Sequence, residues 1–181
     1  MRKPGSSRRR YVLVFNATTL IVLRELGRMD MVEAIRRLGY VSIVIPRGVR
    51  NEFLRAGIGV AIPSNNIFDD EELMEDLLLD IPRSLGEGER HAIAIAYSLT
   101  QRLGQDTVVV VVTDDKRARS KCRELGVKVF GTLGLIEFAK KHGIISKEEA
   151  LKLLDLLPDT SLYVTEELLG EARARIRQQD I

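Results

Sequence analysis

Residues 107–113, "TVVVVVT", decide the fold. An unbroken run of valines has no alternation of polar and apolar positions, so neither face of such a strand can be left in water. A β-branched run of this kind belongs in the middle of a parallel sheet covered on both faces. The run stops at Asp114 and Asp115. The segment "DDKRARSKCRELG" that follows is helical by pattern, "VKVF" at 127–130 is a further strand, and the turn "GTLG" leads into a helix "LIEFAKKHG". Strand, helix, strand is the order of a parallel crossover.

The N-terminal side repeats this alternation. "YVLVF" at 11–15 and "VSIVI" at 41–45 are strands. Between them Leu20, Leu23 and Leu26, then Met31, Val32, Ile35 and Leu38, mark two helices separated near Gly27 and ended by Gly39. Pro46 suits the first turn of a helix "PRGVRNEFLRA" that Gly57 closes. An irregular stretch "GIGVAIPSNNIF" precedes a short acidic helix "DDEELMEDLLLD". The longer helix "LGEGERHAIAIAYSLTQRLG" is apolar nearly all round over "AIAIAY", as a helix covered on more than one side must be. Ser146 and Glu149 have capping-box spacing, and Thr165 can cap a last helix running toward Arg177. The expected architecture is α/β, a three-layer α/β/α fold with a mainly parallel central sheet and extra C-terminal helices. It divides into a basic flexible arm over 1–10, one domain over 11–145, and a helical extension of that domain over 146–181.

Composition narrows the function classes. The 181 residues suit a single domain with a substantial core, and 45% hydrophobic with 30% charged residues describes a globular chain. The 28 basic and 26 acidic residues leave a formal charge of +2, so any nucleic-acid site must be local. The basic cluster "MRKPGSSRRR" is the obvious one. It lacks the apolar core of a secretory signal, and no run of about 18 apolar residues predicts a membrane helix. One cysteine, Cys122, excludes an internal disulfide, and His91 and His142 are too few for a zinc site of imidazoles and thiolates. The expected compartment is the cytoplasm.

Ligand sites in open α/β sheets lie beyond the carboxyl ends of the strands, which points to Asn16, Asp114 and Asp115. If the first strand and the valine strand are neighbours, these converge. Glu52 shares a helical face with Val49, Phe53 and Ala56, and Glu89 shares one with Ala92, Ile93 and Ala96. Oxygen ligands without His or Cys suit a hard cation such as Mg²⁺ or Mn²⁺, which can activate water in phosphodiester cleavage. Each residue also has a structural use. Asp114 and Asp115 can cap a helix, with Asp115 pairing to Arg119; Glu52 can pair with Arg55; Glu89 can face solvent beside Gly86 and Gly88; Asn16 can bond its own turn with Thr18. Glu87 follows Ser84 at capping-box spacing. "GTLG" has no Walker lysine, which favours a plain turn over a phosphate loop.

Together, "VFNATTLIVLRELGRMDMV", "VIPRGVRNEF", "LGEGERHAIAIA", "TDDKRAR" and "VFGTLGLIEFAKKHGII" resemble the PIN domains, in the prokaryotic branch related to VapC-type toxin ribonucleases. The resemblance implies a Mg²⁺- or Mn²⁺-dependent ribonuclease acting on single-stranded RNA, commonly as a homodimer, with an antitoxin-like protein as a possible partner. It puts the family's second acid on Glu52, the third on Glu89, and the fourth on Asp115 with Asp114 beside it. Thr18 and Thr113 fall in substrate-orienting positions. The first acid falls on Asn16, which is the departure: a neutral oxygen replaces a formal charge. The competing function is a catalytically silent PIN-like module that binds RNA or a protein partner.

Overall fold

The computed structural model describes residues 9–56 and 80–178. Four parallel strands form one sheet: β1 (Arg10–Phe15), β2 (Val41–Val44), β3 (Thr107–Val112) and β4 (Lys128–Phe130), in the order β2-β1-β3-β4. β1 and β3 are therefore adjacent at the centre, with Val14 opposite Val44 on one side and Val111 on the other. The chain runs from β1 to β2 on one side and then crosses over β1 to β3 on the other. A crevice is thereby left at their carboxyl ends, the topological switch point where such sheets bind ligands.

Eight helices are described: α1 (Ala17–Glu25), α2 (Asp30–Arg36), α3 (Arg47–Arg55), α4 (Glu87–Arg102), α5 (Lys116–Glu124), α6 (Thr132–Lys141), α7 (Lys147–Leu156) and α8 (Glu166–Gln178). The period-2 alternation of the strands sorts them into layers. Leu13, Phe15, Ile43, Val110 and Val112 face a core built from α1, α2, α6, α7, α8 and the apolar side of α3. Val12, Val14, Val44, Val109 and Val111 face the opposite way, onto α4 and α5. This is the three-layer α/β/α arrangement expected from the valine run. Ala92 through Ala96 of α4 are all buried, as an all-round apolar stretch requires.

Local signals place most helix ends. Gly27 and Gly39 take φ of 66°, the left-handed conformation that ends a helix at least cost in glycine. Ser146 and Glu149 close a reciprocal capping box at α7, and the Thr165 hydroxyl accepts from the Leu168 N–H at α8. One expectation is corrected. Ser84 and Glu87 do not form a box: α4 begins at Glu87 with Gly86 as N-cap, and Glu89 bonds the Gly86 N–H. Burial of Ile81 and Leu85 explains the shift, because the segment around Ser84 is spent on anchoring the approach to the helix. Gly57, the expected irregular stretch over 57–68, all but the last residue of the expected acidic helix over 69–80, and most of the basic arm lie outside the described residues.

The C-terminal helices share the main core. Leu154, Leu157, Leu169, Ala172 and Ile176 are fully buried in the same cluster as Leu13 and Leu20. Leu154→Ala is accordingly expected to cost about 2–5 kcal/mol in urea unfolding. Backbone and tyrosine signals should lose structure in one coincident transition; separate transitions would mean that α7 and α8 fold independently of the sheet.

Candidate functional site

The carboxyl ends of β1 and β3 are joined by side chains. Asn16, 1% exposed, continues the ladder by donating its N–H to the Val112 carbonyl at 2.9 Å, then turns into α1 as its N-cap. Its carboxamide is used at both ends. Oδ1 accepts from the Ala17 N–H at 2.7 Å, and Nδ2 donates to the Thr113 hydroxyl at 2.9 Å. Thr113 Oγ1 also accepts from the Asp115 N–H at 3.2 Å, which turns its own proton toward Thr18 Oγ1 at 3.5 Å. Thr18 in turn accepts from the Asp114 N–H at 3.2 Å. Asn16, Thr18, Thr113, Asp114 and Asp115 thus converge as adjacency of the two strands requires.

The two aspartates differ. Asp114 is a clamp: Oδ1 accepts from the Thr132 N–H at 2.8 Å, and Oδ2 accepts from the hydroxyls of Thr132 at 2.6 Å and Thr19 at 3.0 Å. Thr19 and Thr132 are completely buried, so the carboxylate binds α1 and the N-terminus of α6 to the end of β3. Gly131 has to be glycine here because a Cβ would fall on Oδ1 of Asp114. The "GTLG" turn therefore does present a helix N–H, that of Thr132, to an anion, and that anion is the protein's own carboxylate. Asp115 caps α5, Oδ1 accepting from the Ala118 N–H at 2.7 Å, so this oxygen serves the backbone rather than Arg119.

Glu52 and Glu89 form a second group at the start of α4. A Cβ on Gly48 would lie 2.7 Å from His91 Nδ1, and one on Gly88 would lie 2.7 Å from Glu52 Oε2, so two glycines permit the close approach of α3 to α4. Glu52 accepts from the Gly88 N–H at 2.8 Å and Glu89 from the Gly86 N–H, placing both carboxylates at the positive end of α4. Arg55 pairs with Glu87 at 3.3 Å, which corrects the expected Glu52–Arg55 pair. Burial is the main cause that holds the Glu52 carboxyl above its ordinary pKa; the Gly88 N–H opposes it, and the charges of Glu89 and Glu87 reinforce it.

The remaining candidates have structural uses. The His91 Nδ1 accepts from the Gly48 N–H at 3.1 Å, and burial lowers the ring's pKa. Cys122 is fully buried, with its thiol pushed up to about 12, which leaves it unreactive at neutral pH. Among the described residues, no three His, Cys, Asp or Glu side chains stand together as a metal-holding group. With Asn16 sealed and neutral and three acceptor sites of Asp114 already taken, these two strand-end residues do not fit the divalent-ion site implied by the sequence. Sequence reasoning missed Thr19 and Thr132, the partners of Asp114; the threonine of "GTLG" following a strand was the available signal.

Three outcomes are expected. Asp114→Ala strands the Thr132 N–H and two buried hydroxyls and should cost roughly 2–4 kcal/mol. Gly131→Ala should act on the same carboxylate, so that in urea unfolding the double variant loses clearly less than the sum. For Glu52 the raised pKa means that the folded state holds its proton to higher pH than the unfolded chain does. Its contribution to stability therefore falls as pH rises from about 4 through the folded-state value. Glu52→Gln keeps an acceptor for Gly88 and removes that loss, so its stability relative to wild type should increase from about pH 4 to pH 7.

No match was found among curated proteins, and none among solved structures. A family model described as a PIN domain matches residues 12–178, which takes in β1 from Val12 on, the other three strands, both aspartates, both glutamates and the C-terminal helices. The clamp, the switch-point crevice and the chain that forms them thus fall within one continuous match, and the protein belongs to the PIN-domain family.

Proposed function

We propose that this chain is a single-stranded RNA-binding module with a nuclease-like fold, whose hydrolytic centre is silent in the wild type. The observation that carries the reading is the state of Asn16. At 1% exposure an ionised carboxylate would need a compensating cation, whereas the carboxamide is satisfied by Ala17 and Thr113 without one. The site is therefore stable as it stands and has no demand for metal at its centre. RNA is favoured as the ligand by family membership and by α5. This helix opens beside the crevice with exposed Lys116 and Arg117 and continues with Arg119, Lys121 and Arg123. Among the described residues no helix is long and apolar enough to cross a membrane.

A second reading, a Mg²⁺- or Mn²⁺-dependent ribonuclease, draws on different atoms. Asp115 gives only Oδ1 to its cap, and a Cβ at Gly86 would meet Glu89 Oε2 at 2.5 Å and Glu52 Oε1 at 3.4 Å, so the two glutamates converge on one point.

Asn16→Asp separates the two. The substitution can be housed, because Thr113 can reverse its hydroxyl and donate to the new carboxylate. In the silent-module reading, wild type with Mn²⁺ binds single-stranded RNA and cleaves it no faster than a Glu89→Ala, Asp115→Ala double variant. Asn16→Asp should then be less stable than wild type without metal, and its melting temperature should rise with Mn²⁺ while that of wild type stays level. Wild-type cleavage that disappears in the double variant would establish the ribonuclease reading instead.

A further inference from the structure

A cleft of about 270 Å³ opens directly beside the aspartates. Its apolar lining comes from Ile21 and Val22 of α1 and Leu162 of the segment between α7 and α8, and Asp114, Asp115, Lys116 and Tyr163 line it as well. Tyr163 is 81% exposed, the most exposed large apolar side chain among the described residues. The backbone that carries it is nevertheless anchored. Ser161 donates its N–H and its hydroxyl to Glu25 Oε2, both at 2.8 Å, and the Leu162 N–H bonds Thr160 Oγ1 at 3.2 Å, tying this strap to the end of α1. The Lys116 ammonium lies 5.8 Å from the Tyr163 ring centroid.

An aromatic ring kept in water at the rim of an apolar slot, with a cation across its face, has the composition of a single-strand stacking platform. We propose that this cleft is a subsite for one nucleobase of the RNA, stacked on Tyr163, with Lys116 meeting the flanking phosphate. The inference rests on the RNA-binding reading above and names the residues through which the strand is held. In the free protein the ammonium covers the ring by a cation–π contact. An arriving base takes that face, and the released ammonium turns to the phosphate that arrives with it. The volume lies near the lower end of ligand clefts, which suits one planar base and leaves no space for a partner helix about 10 Å across. Base stacking also explains how a crevice bordered by carboxylates can face a polyanion: the base enters the apolar slot, and Lys116 meets the phosphate.

The test uses the full chain and a short single-stranded RNA carrying one 2-aminopurine, whose emission falls on stacking. Tyr163→Phe should bind and quench as wild type does. Tyr163→Ala should bind about tenfold more weakly or worse and lose the quenching, with an unchanged melting temperature because the ring is exposed. Lys116→Ala should lower the slope of log affinity against log salt by about 0.7. Wild-type binding and quenching retained in Tyr163→Ala would overturn the subsite and leave the RNA-binding reading intact. Failure of the wild type to bind RNA at all would overturn that reading, and the subsite with it.

Discussion

The carboxylate of Asp114 is the constraint on which the rest of the site depends. It follows the central strand directly, and its two oxygens receive the Thr19 hydroxyl from α1 and both the N–H and the hydroxyl of Thr132 at the start of α6. Those elements lie on the same side of the sheet, and each would otherwise leave buried polar groups unsatisfied at its N-terminal end. A charged acceptor serving three neutral donors is worth more per bond than neutral pairs are, and its position at a helix N-terminus adds to this. Gly131 is the backbone counterpart of the same contact, since only glycine lets Oδ1 approach so closely. The crevice at the switch point therefore has rigid walls before any ligand arrives.

Its neighbour Asn16 extends the rigidity to β1 but carries no charge. The contacts run in one direction from Asn16 through Thr113 to Thr18, where the Asp114 N–H donates from the other side, so that each donor meets an acceptor. A carboxylate at Asn16 would reverse that direction and add a buried charge beside Asp114 and Asp115. The four acids accordingly lie in two groups with separate duties, the aspartates at the carboxyl end of β3 securing α6 and capping α5, and the glutamates closing the N-terminus of α4. Family membership makes the scaffold nuclease-like, and Asn16 leaves the end of β1 neutral beside the aspartates.

The fold was legible because its signals are local or periodic. "TVVVVVT" requires covering on both faces wherever it sits, the left-handed glycines Gly27 and Gly39 end helices by their own geometry, and Ser146 with Glu149 closes a box within one turn. What escaped was contact between distant segments. Asp114 reads as a helix cap in sequence, yet its partners lie 95 and 18 residues away, and the cap is made by Asp115. Glu52 and Arg55 have the spacing of a helical pair, but the glycines at 48 and 88 bring α4 close enough for the Gly88 N–H to take the carboxylate and for Arg55 to reach Glu87. Strand order has the same status. That β1 and β3 are neighbours, which makes Asn16 and Asp114 one site, cannot be read from either strand alone.

Tyr163 shows how such long-range placement changes the meaning of a residue. In sequence it is a lone aromatic in a short connection before a capped helix, with nothing to distinguish it from a surface accident. The burial of α7 and α8 against the main core fixes where that connection passes, and Glu25 pulls Ser161 onto the end of α1. The ring then lines the same crevice as Asp114 and Asp115, with the first residue of α5 over its face. An exposed ring gives the fold no burial energy, while the strap that holds it costs conformational entropy. The ordering is offset by Ser161 and Leu162 and leaves Tyr163 as the part of the strap that stability does not explain. The C-terminal helices thus have a second consequence besides enlarging the core: they complete the wall of the site on the side where the aspartates are.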